Sequence, residues 1–347
     1  MPIFVVMKTR ILFLSLLLTL VACSGHPSLD DVTVKVLSSE FIYEEASFPS
    51  CHASTLVETE NGLLAAWFGG SYESHPDVSI YCASYDGTSW SEPVKAADGV
   101  VADSLRYPCW NPVLFRLESG ETALFYKVGP NPREWWGLYK LSADGGRTWG
   151  PATALQEGKL GPIKNKPLAL ADGTILYPTS VEYTPDRWRV FIERSDKNLT
   201  GWETIALDNN GFNAIQPTLF SYKGRLEMLC RTQEGVLAKA SSEDGGRTWT
   251  PLQDSGLPNN NSGIDGVVLK DGLRLLVCNP LTEGRNKLVL LGSYDGVEWK
   301  TLRTLEDQPE GEFSYPAIIV RRSGDIDITY TYNRQRIKHV ILRNSIL

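Results

Sequence analysis

Eight polar or aromatic residues stand seven to ten positions ahead of six regularly spaced glycines: His52, Trp110, Asn111, Lys164, Asn165, Gln216, Asp265 and Tyr315, before Gly62, Gly120, Gly173, Gly224, Gly272 and Gly324. An imidazole, a phenol, amides and charges of both signs gathered at one mouth would bind a polar ligand and move its protons. A second set stands seven positions after the same glycines: Gly69, Lys127, Ser180, Arg231, Asn279 and Thr331. Strand alternation puts these on equivalent sides, so Lys127 and Arg231 are expected to point their charge at the same mouth. Arg285 precedes the third strand of its repeat much as Asp77 precedes that of its own. Two guanidiniums suit a carboxylate, because each can donate two parallel hydrogen bonds to its oxygens.

Such positions need a scaffold that brings six equivalent segments to one place. The chain supplies six hairpins, each an apolar strand, a Gly turn and a second apolar strand, beginning at Phe48, Tyr107, Gly161, Asn213, Ser262 and Phe313. Their turn glycines lie 48 to 58 residues apart, the period of a propeller blade. A second motif interleaves at the same period: Ser84 to Trp90, Ser142 to Trp149, Ser242 to Trp249, Ser293 to Trp299, and a degenerate copy from Ser195 to Trp202. In this turn the Asp accepts backbone N–H bonds, Gly supplies a positive φ, and Trp packs between neighbouring sheets. Only three strands of a last blade follow Asp295, so the alternating segment from Val32 to Tyr43 is expected to supply the fourth and close the ring. The expected fold is all-β, a single six-bladed β-propeller over residues 23–347.

Met1 to Ala22 places Lys8 and Arg10 before the apolar run Ile11 to Val21 and reads as an export signal. Leu20-Val21-Ala22-Cys23 has the form of a bacterial lipobox. The expectation is a lipoprotein anchored through Cys23, exported to the periplasm or the cell surface. Five further cysteines have no metal-ligand spacing, and a bridge between Cys51 and Cys109 is conceivable from their matching places in the first two repeats. With four histidines and a formal charge of −7, neither a metal site, nor a cofactor, nor a nucleic-acid partner is expected. The chain is expected to act as a monomer.

On these repeats and turns the sequence resembles the sialidase superfamily, the six-bladed propellers with Asp-box repeats, over essentially all of the chain after the leader. The resemblance implies substrate-carboxylate arginines at Arg231 and Arg285, a Tyr nucleophile at Tyr315 within Ser314-Tyr315-Pro316, and an acid/base at Asp77 on the loop from Glu73. Two positions depart from the family pattern. The stretch Phe48-Pro49-Ser50-Cys51-His52 lacks the family's first arginine, and Gln216 stands where a Glu would support the Tyr. An amide cannot take the phenolic proton. Glu73 and Glu312 are then the carboxylates to weigh as its base.

The function implied is an exo-acting glycoside hydrolase that releases a terminal acidic sugar, with Lys164, Asn111, Trp110 and Asp265 lining the substrate site. A polysaccharide lyase or rhamnosyl-uronate cleaving enzyme is the alternative, with His52 or Tyr315 as base and Gln216 and Arg231 on the uronate. A third reading is a glycan-binding propeller without catalysis, in which Trp110, Trp135 and Trp136 stack on sugars; the last two equally suit packing between blades.

Overall fold

The computed structural model describes residues 28–346, so the expected leader and Cys23 lie outside the described residues. Its strands build six four-stranded antiparallel sheets, the blades of a six-bladed β-propeller. Blade 1 holds Ser50–Thr59, Gly62–Gly70, Ser79–Tyr85 and Val94–Ala97; blade 2 holds Cys109–Arg116, Thr122–Val128, Trp136–Ser142 and Thr153–Ala154. Blade 3 holds Leu168–Ala169, Ile175–Thr184, Arg187–Ser195 and Glu203–Ala206; blade 4 holds Ala214–Tyr222, Arg225–Thr232, Val236–Ser242 and Gln253–Pro258. Blade 5 holds Asp265–Val268, Arg274–Cys278, Lys287–Ser293 and Lys300–Asp307. Blade 6 holds Phe313–Val320, Ile326–Tyr332 and Arg336–Ile346, completed by Val32–Phe41.

The closing strand pairs antiparallel with the last one, Val32 opposite Ile346 and Phe41 opposite Lys338, with a bulge between Val36 and Ser38. Val32 and Val34 bury against Ile328, Val340 and Leu342 of their own blade and share a cluster with Leu273 and Leu275 of blade 5. The closing strand covers the edge that Arg336–Ile346 would otherwise leave open and is itself the outer strand of the last sheet.

First strands of neighbouring blades touch around the axis: that of blade 1 meets those of blades 2 and 6, and that of blade 5 meets those of blades 4 and 6. Blade 3 differs from the expected hairpin, because its inner segment is regular only at Leu168–Ala169. Pro162 and Pro167 flank Lys164 and Asn165 there, and a proline has no N–H to give a ladder.

The Asp turns join third to fourth strands. Asp144 and Asp244 accept the Thr148 and Thr248 amides, each at 2.9 Å. Trp90, Trp149, Trp202, Trp249 and Trp299 belong to five different clusters, each joining adjacent blades. Gly146 is required twice over: its φ is +92°, and a Cβ there would lie 2.4 Å from Leu64 of blade 1. Cys51, Cys82, Cys109, Cys230 and Cys278 are free and buried, so Cys51 and Cys109 form no bridge.

Candidate active site

Four inner strands carry the same irregularity. Strand pairing slips between His52 and Thr55, Trp110 and Val113, Ile215 and Thr218, and Ser314 and Ala317. Within each slip one non-glycine residue has a positive φ: Ala53 at 58°, Asn111 at 33°, Gln216 at 54° and Tyr315 at 52°. Proline follows three of them, at Pro112, Pro217 and Pro316. A bulge of this kind re-aims one side chain per strand, and each strained residue costs about 1 kcal/mol or more.

Two of these re-aimed side chains meet. The Gln216 amide donates to the Tyr315 phenol oxygen at 3.3 Å, and Arg231 Nη1 donates to the same oxygen at 2.8 Å. The other end of the Gln216 amide accepts from Arg231 Nη1 at 3.1 Å, and Arg231 Nε donates to Asn261 Oδ1 at 2.7 Å. Arg285 lies 5.9 Å from the centre of the Tyr315 ring and donates to Glu312 at 2.9 Å. Arg231, Arg285, Gln216 and Tyr315, all singled out in the sequence, therefore converge.

Arg334, which the sequence reading missed, joins them. Its Nε donates to Glu312 Oε1 at 2.8 Å, the oxygen that Arg285 also uses, and it pairs with Glu73. Its carbonyl accepts the Cys51 amide at 2.8 Å. The guanidinium is thus carried to the stretch before His52 in which an arginine was missing. Asn333 and Arg334 both have positive φ, 52° and 59°, in a turn closed by the Gln335 amide and the Tyr332 carbonyl at 3.1 Å. Positive φ at an arginine was the signal, and sequence does not display it.

His52 is 2% exposed, and its ring centre is 4.1 Å from that of Tyr315. Burial first, then the charges of Arg334, Arg285, Arg231 and Lys164, hold its imidazole well below the usual histidine range, so the ring is neutral. Its Nδ1 is buried without a hydrogen-bond partner. Lys164 lies below the phenol ring, 5.9 Å from its centre, and donates to Asn165 Oδ1 and the Ile264 carbonyl, both at 2.9 Å, and to the Pro316 carbonyl. It is the strut under Tyr315. Burial pulls its ammonium down to about 7, while Asp265 acts to raise it. Gly263 makes the approach possible, since a Cβ there would meet Tyr315 at 3.2 Å and Lys164 at 3.3 Å.

Other expected site residues are placed differently. Asp265 is an inter-blade tie: its carboxylate takes Lys166, Thr218 Oγ1 and the Gly266 and Ile318 amides at 2.8 to 3.0 Å, leaving no oxygen for a ligand. Lys127 does not reach the mouth, because it is fully buried and donates to the Pro162 carbonyl. Trp110 is wall: its indole N–H donates to the Gly129 carbonyl at 2.8 Å, and it packs on Phe68 and Trp135. Trp136 packs on Tyr107 between blades. Asn111 is buried in its bulge. Asp77 is held inside its own loop, accepting the Ser71 hydroxyl at 2.6 Å and amide at 3.0 Å, with His75 at 2.8 Å. Burial acts to raise its carboxyl, but Ser71 and His75 hold it down at about 2. Glu312, raised by burial yet drawn lower by Arg334, Arg285 and Ser314, is an ionised spacer between two guanidiniums.

Residues 61–328 match the family of BNR repeat-like domains. Among solved structures the chain is similar to a protein of unknown function from Dyadobacter fermentans, with TM-score 0.72 and 16% identity over 89% of this chain and 99% of that one. It is similar to the NanB sialidase of Streptococcus pneumoniae, with TM-score 0.68 and 13% identity over 88% of this chain and 70% of that one. It is also similar to the intramolecular trans-sialidase of Ruminococcus gnavus, with TM-score 0.67 and 14% identity over 88% of this chain and 97% of that one. At these identities the likeness is one of fold. No curated protein matches the sequence.

Proposed function

The chain belongs to the family of BNR repeat-like domains, and from that premise we propose that it is an exo-acting glycoside hydrolase releasing a terminal acidic sugar, sialic acid or a relative, from a glycan. The observation that carries this reading is the placing of Arg231 and Arg285 at Tyr315, with Arg334 joined to Arg285 through Glu312. Three guanidiniums backed by Lys164 suit a substrate carboxylate, and a phenol is the nucleophile such a sugar tolerates. An anionic carboxylate nucleophile would be repelled by the carboxylate on the anomeric carbon.

Arg231 donates to the phenol oxygen, so negative charge that develops there as the proton leaves to water is stabilised in place. This replaces the carboxylate base that Gln216 cannot be. In the net reaction a water oxygen ends on the anomeric carbon, and a proton ends on the leaving oxygen.

The unpartnered His52 imidazole favours a second reading, elimination from a uronate with His52 as the base. Hydrolysis is preferred because burial and then the four neighbouring cations, which hold His52 neutral, also make it a weak base. The product separates the two. With sialic, ketodeoxy and uronic acid glycosides in oxygen-18 water, the expected product is a saturated sugar carrying the label. Tyr315→Phe should abolish turnover, while His52→Ala should reduce it less. An unlabelled, ultraviolet-absorbing unsaturated uronate, or His52→Ala as inactive as Tyr315→Phe, would overturn hydrolysis in favour of elimination.

We further propose, from the sequence alone, export and lipid anchoring at Cys23, which would present the site to glycans outside the cytoplasm.

A further inference from the structure

Hydrolysis of a sugar from a sugar needs a group that holds a proton and can give it to the leaving oxygen. Most carboxyls around the mouth are committed. Glu312 takes Arg285, Arg334 and Ser314, Glu73 pairs with Arg334, and Asp77 takes Ser71 and His75.

Glu182 is different. It lies near the end of the blade 3 strand Ile175–Thr184, two residues beyond Ser180 and on the same face. Ser180 Oγ accepts the backbone N–H of Gln216 at 3.1 Å, which sets that face beside the Tyr315 cluster. The charged groups facing Glu182 come from three other blades: Arg231 from blade 4, Arg133 from the loop after Thr122–Val128 of blade 2, and Glu73 from the loop after Gly62–Gly70 of blade 1. Directly across its own hairpin stands Trp188, 8% exposed. Glu182 is half-buried, and no hydrogen bond or ion pair among the described residues engages its carboxyl.

We propose that Glu182, rather than Asp77, is the proton donor to the leaving group. This rests on the hydrolase reading above. The Tyr315 oxygen bonds to the anomeric carbon, its proton leaving to water, as the glycosidic carbon–oxygen bond breaks with its electron pair on the leaving oxygen, which takes the Glu182 proton. Water then attacks the anomeric carbon and displaces the Tyr315 oxygen with its electron pair; the Glu182 carboxylate takes the proton of that water, restoring the acid, and the phenolate takes back a proton from solvent. Burial holds the Glu182 carboxyl above the usual carboxylate range, with Arg231 and Arg133 acting to lower it and Glu73 to raise it. Asp77, held at about 2, is ionised at neutral pH.

The test uses the acidic sugar that the wild type cleaves, presented once on galactose and once on an activated aryl group. Glu182→Gln should lose about 100-fold or more in kcat/KM on the galactoside and far less on the aryl glycoside, whose leaving oxygen needs no proton. The basic limb of the wild-type pH profile should vanish in the variant on the aryl substrate. Its melting temperature should match or exceed the wild type's, since it removes a desolvated acid. Asp77→Asn should lose activity equally on both substrates. Equal losses in Glu182→Gln, or a leaving-group-dependent loss in Asp77→Asn, would overturn the assignment while leaving hydrolysis standing. A wild type that turns over no acidic glycoside would overturn both.

Discussion

Arg334 adopts φ +59°, a conformation in which a long side chain is strained, and it does so beside the stretch Phe48 to His52, which lacks the arginine that the family resemblance implies. Strain held at such a place is expected where the side chain serves a ligand. Arg334→Gly relieves the backbone and deletes the guanidinium, so stability and activity should move apart. The melting temperature should hold or rise, while kcat/KM on the acidic glycoside falls by about 10- to 100-fold, the worth of a charge-assisted hydrogen bond of roughly 1.5 to 3 kcal/mol. Unchanged turnover would remove Arg334 from the site. Arg231 was legible in the sequence from its fixed offset after the turn glycine, Tyr315 from its place in the hairpin entry, and Arg285 from its place before a third strand together with the family resemblance. Arg334 was not, since its neighbour Cys51 lies at the far end of the chain and the two meet only through ring closure.

Within the elements, bulges decide that Gln216 and Tyr315 meet. The turn-glycine offsets located the inner strands, but the same alignment assigned Asp265 to the mouth and alternation assigned Lys127 to it. Asp265 instead accepts amides and Lys166 as a tie among blades 3, 4 and 6, and Lys127 ends on a backbone carbonyl. Pairing slips shift a residue from one face to the other, and nothing in residue type marks a slip beyond the proline that follows three of them. Gly263 shows how closely these elements are fitted. Gly263→Ala would press a methyl group on Tyr315 at 3.2 Å and on Lys164 at 3.3 Å. Displacing the phenol should lower kcat by about tenfold, or roughly 1.4 kcal/mol in the barrier. KM should change little, because the arginines stay in place. An unaltered kcat would mean that the position of the Tyr315 ring is not critical to the chemical step.

At the scale of the whole molecule, the sequence made blade number, Asp-turn placement and closure by the N-terminal strand readable, because each repeats or alternates with a fixed period. What it could not show is the interior charge. The ring buries Lys127 of blade 2 completely, with Glu193 of blade 3 nearby and accepting the Leu160 and Gly161 amides. Burial pulls the Lys127 ammonium down to about 7 from 10.5, although Glu193 acts to raise it. Between those values the unfolded chain binds a proton that the folded chain does not, so stability contributed through this group rises with pH. The penalty for burying the ammonium is complete below pH 7 and is relieved as pH climbs toward 10.5. Lys127→Met cannot titrate, so the difference between the two proteins carries the Lys127 titration together with its coupling to Glu193. Urea unfolding at pH 7 and pH 9.5 should therefore show the wild type gaining on Lys127→Met by at most about 1.4 kcal/mol per pH unit. A difference that stays flat, or shrinks in the opposite sense, would mean that Lys127 remains charged inside the propeller.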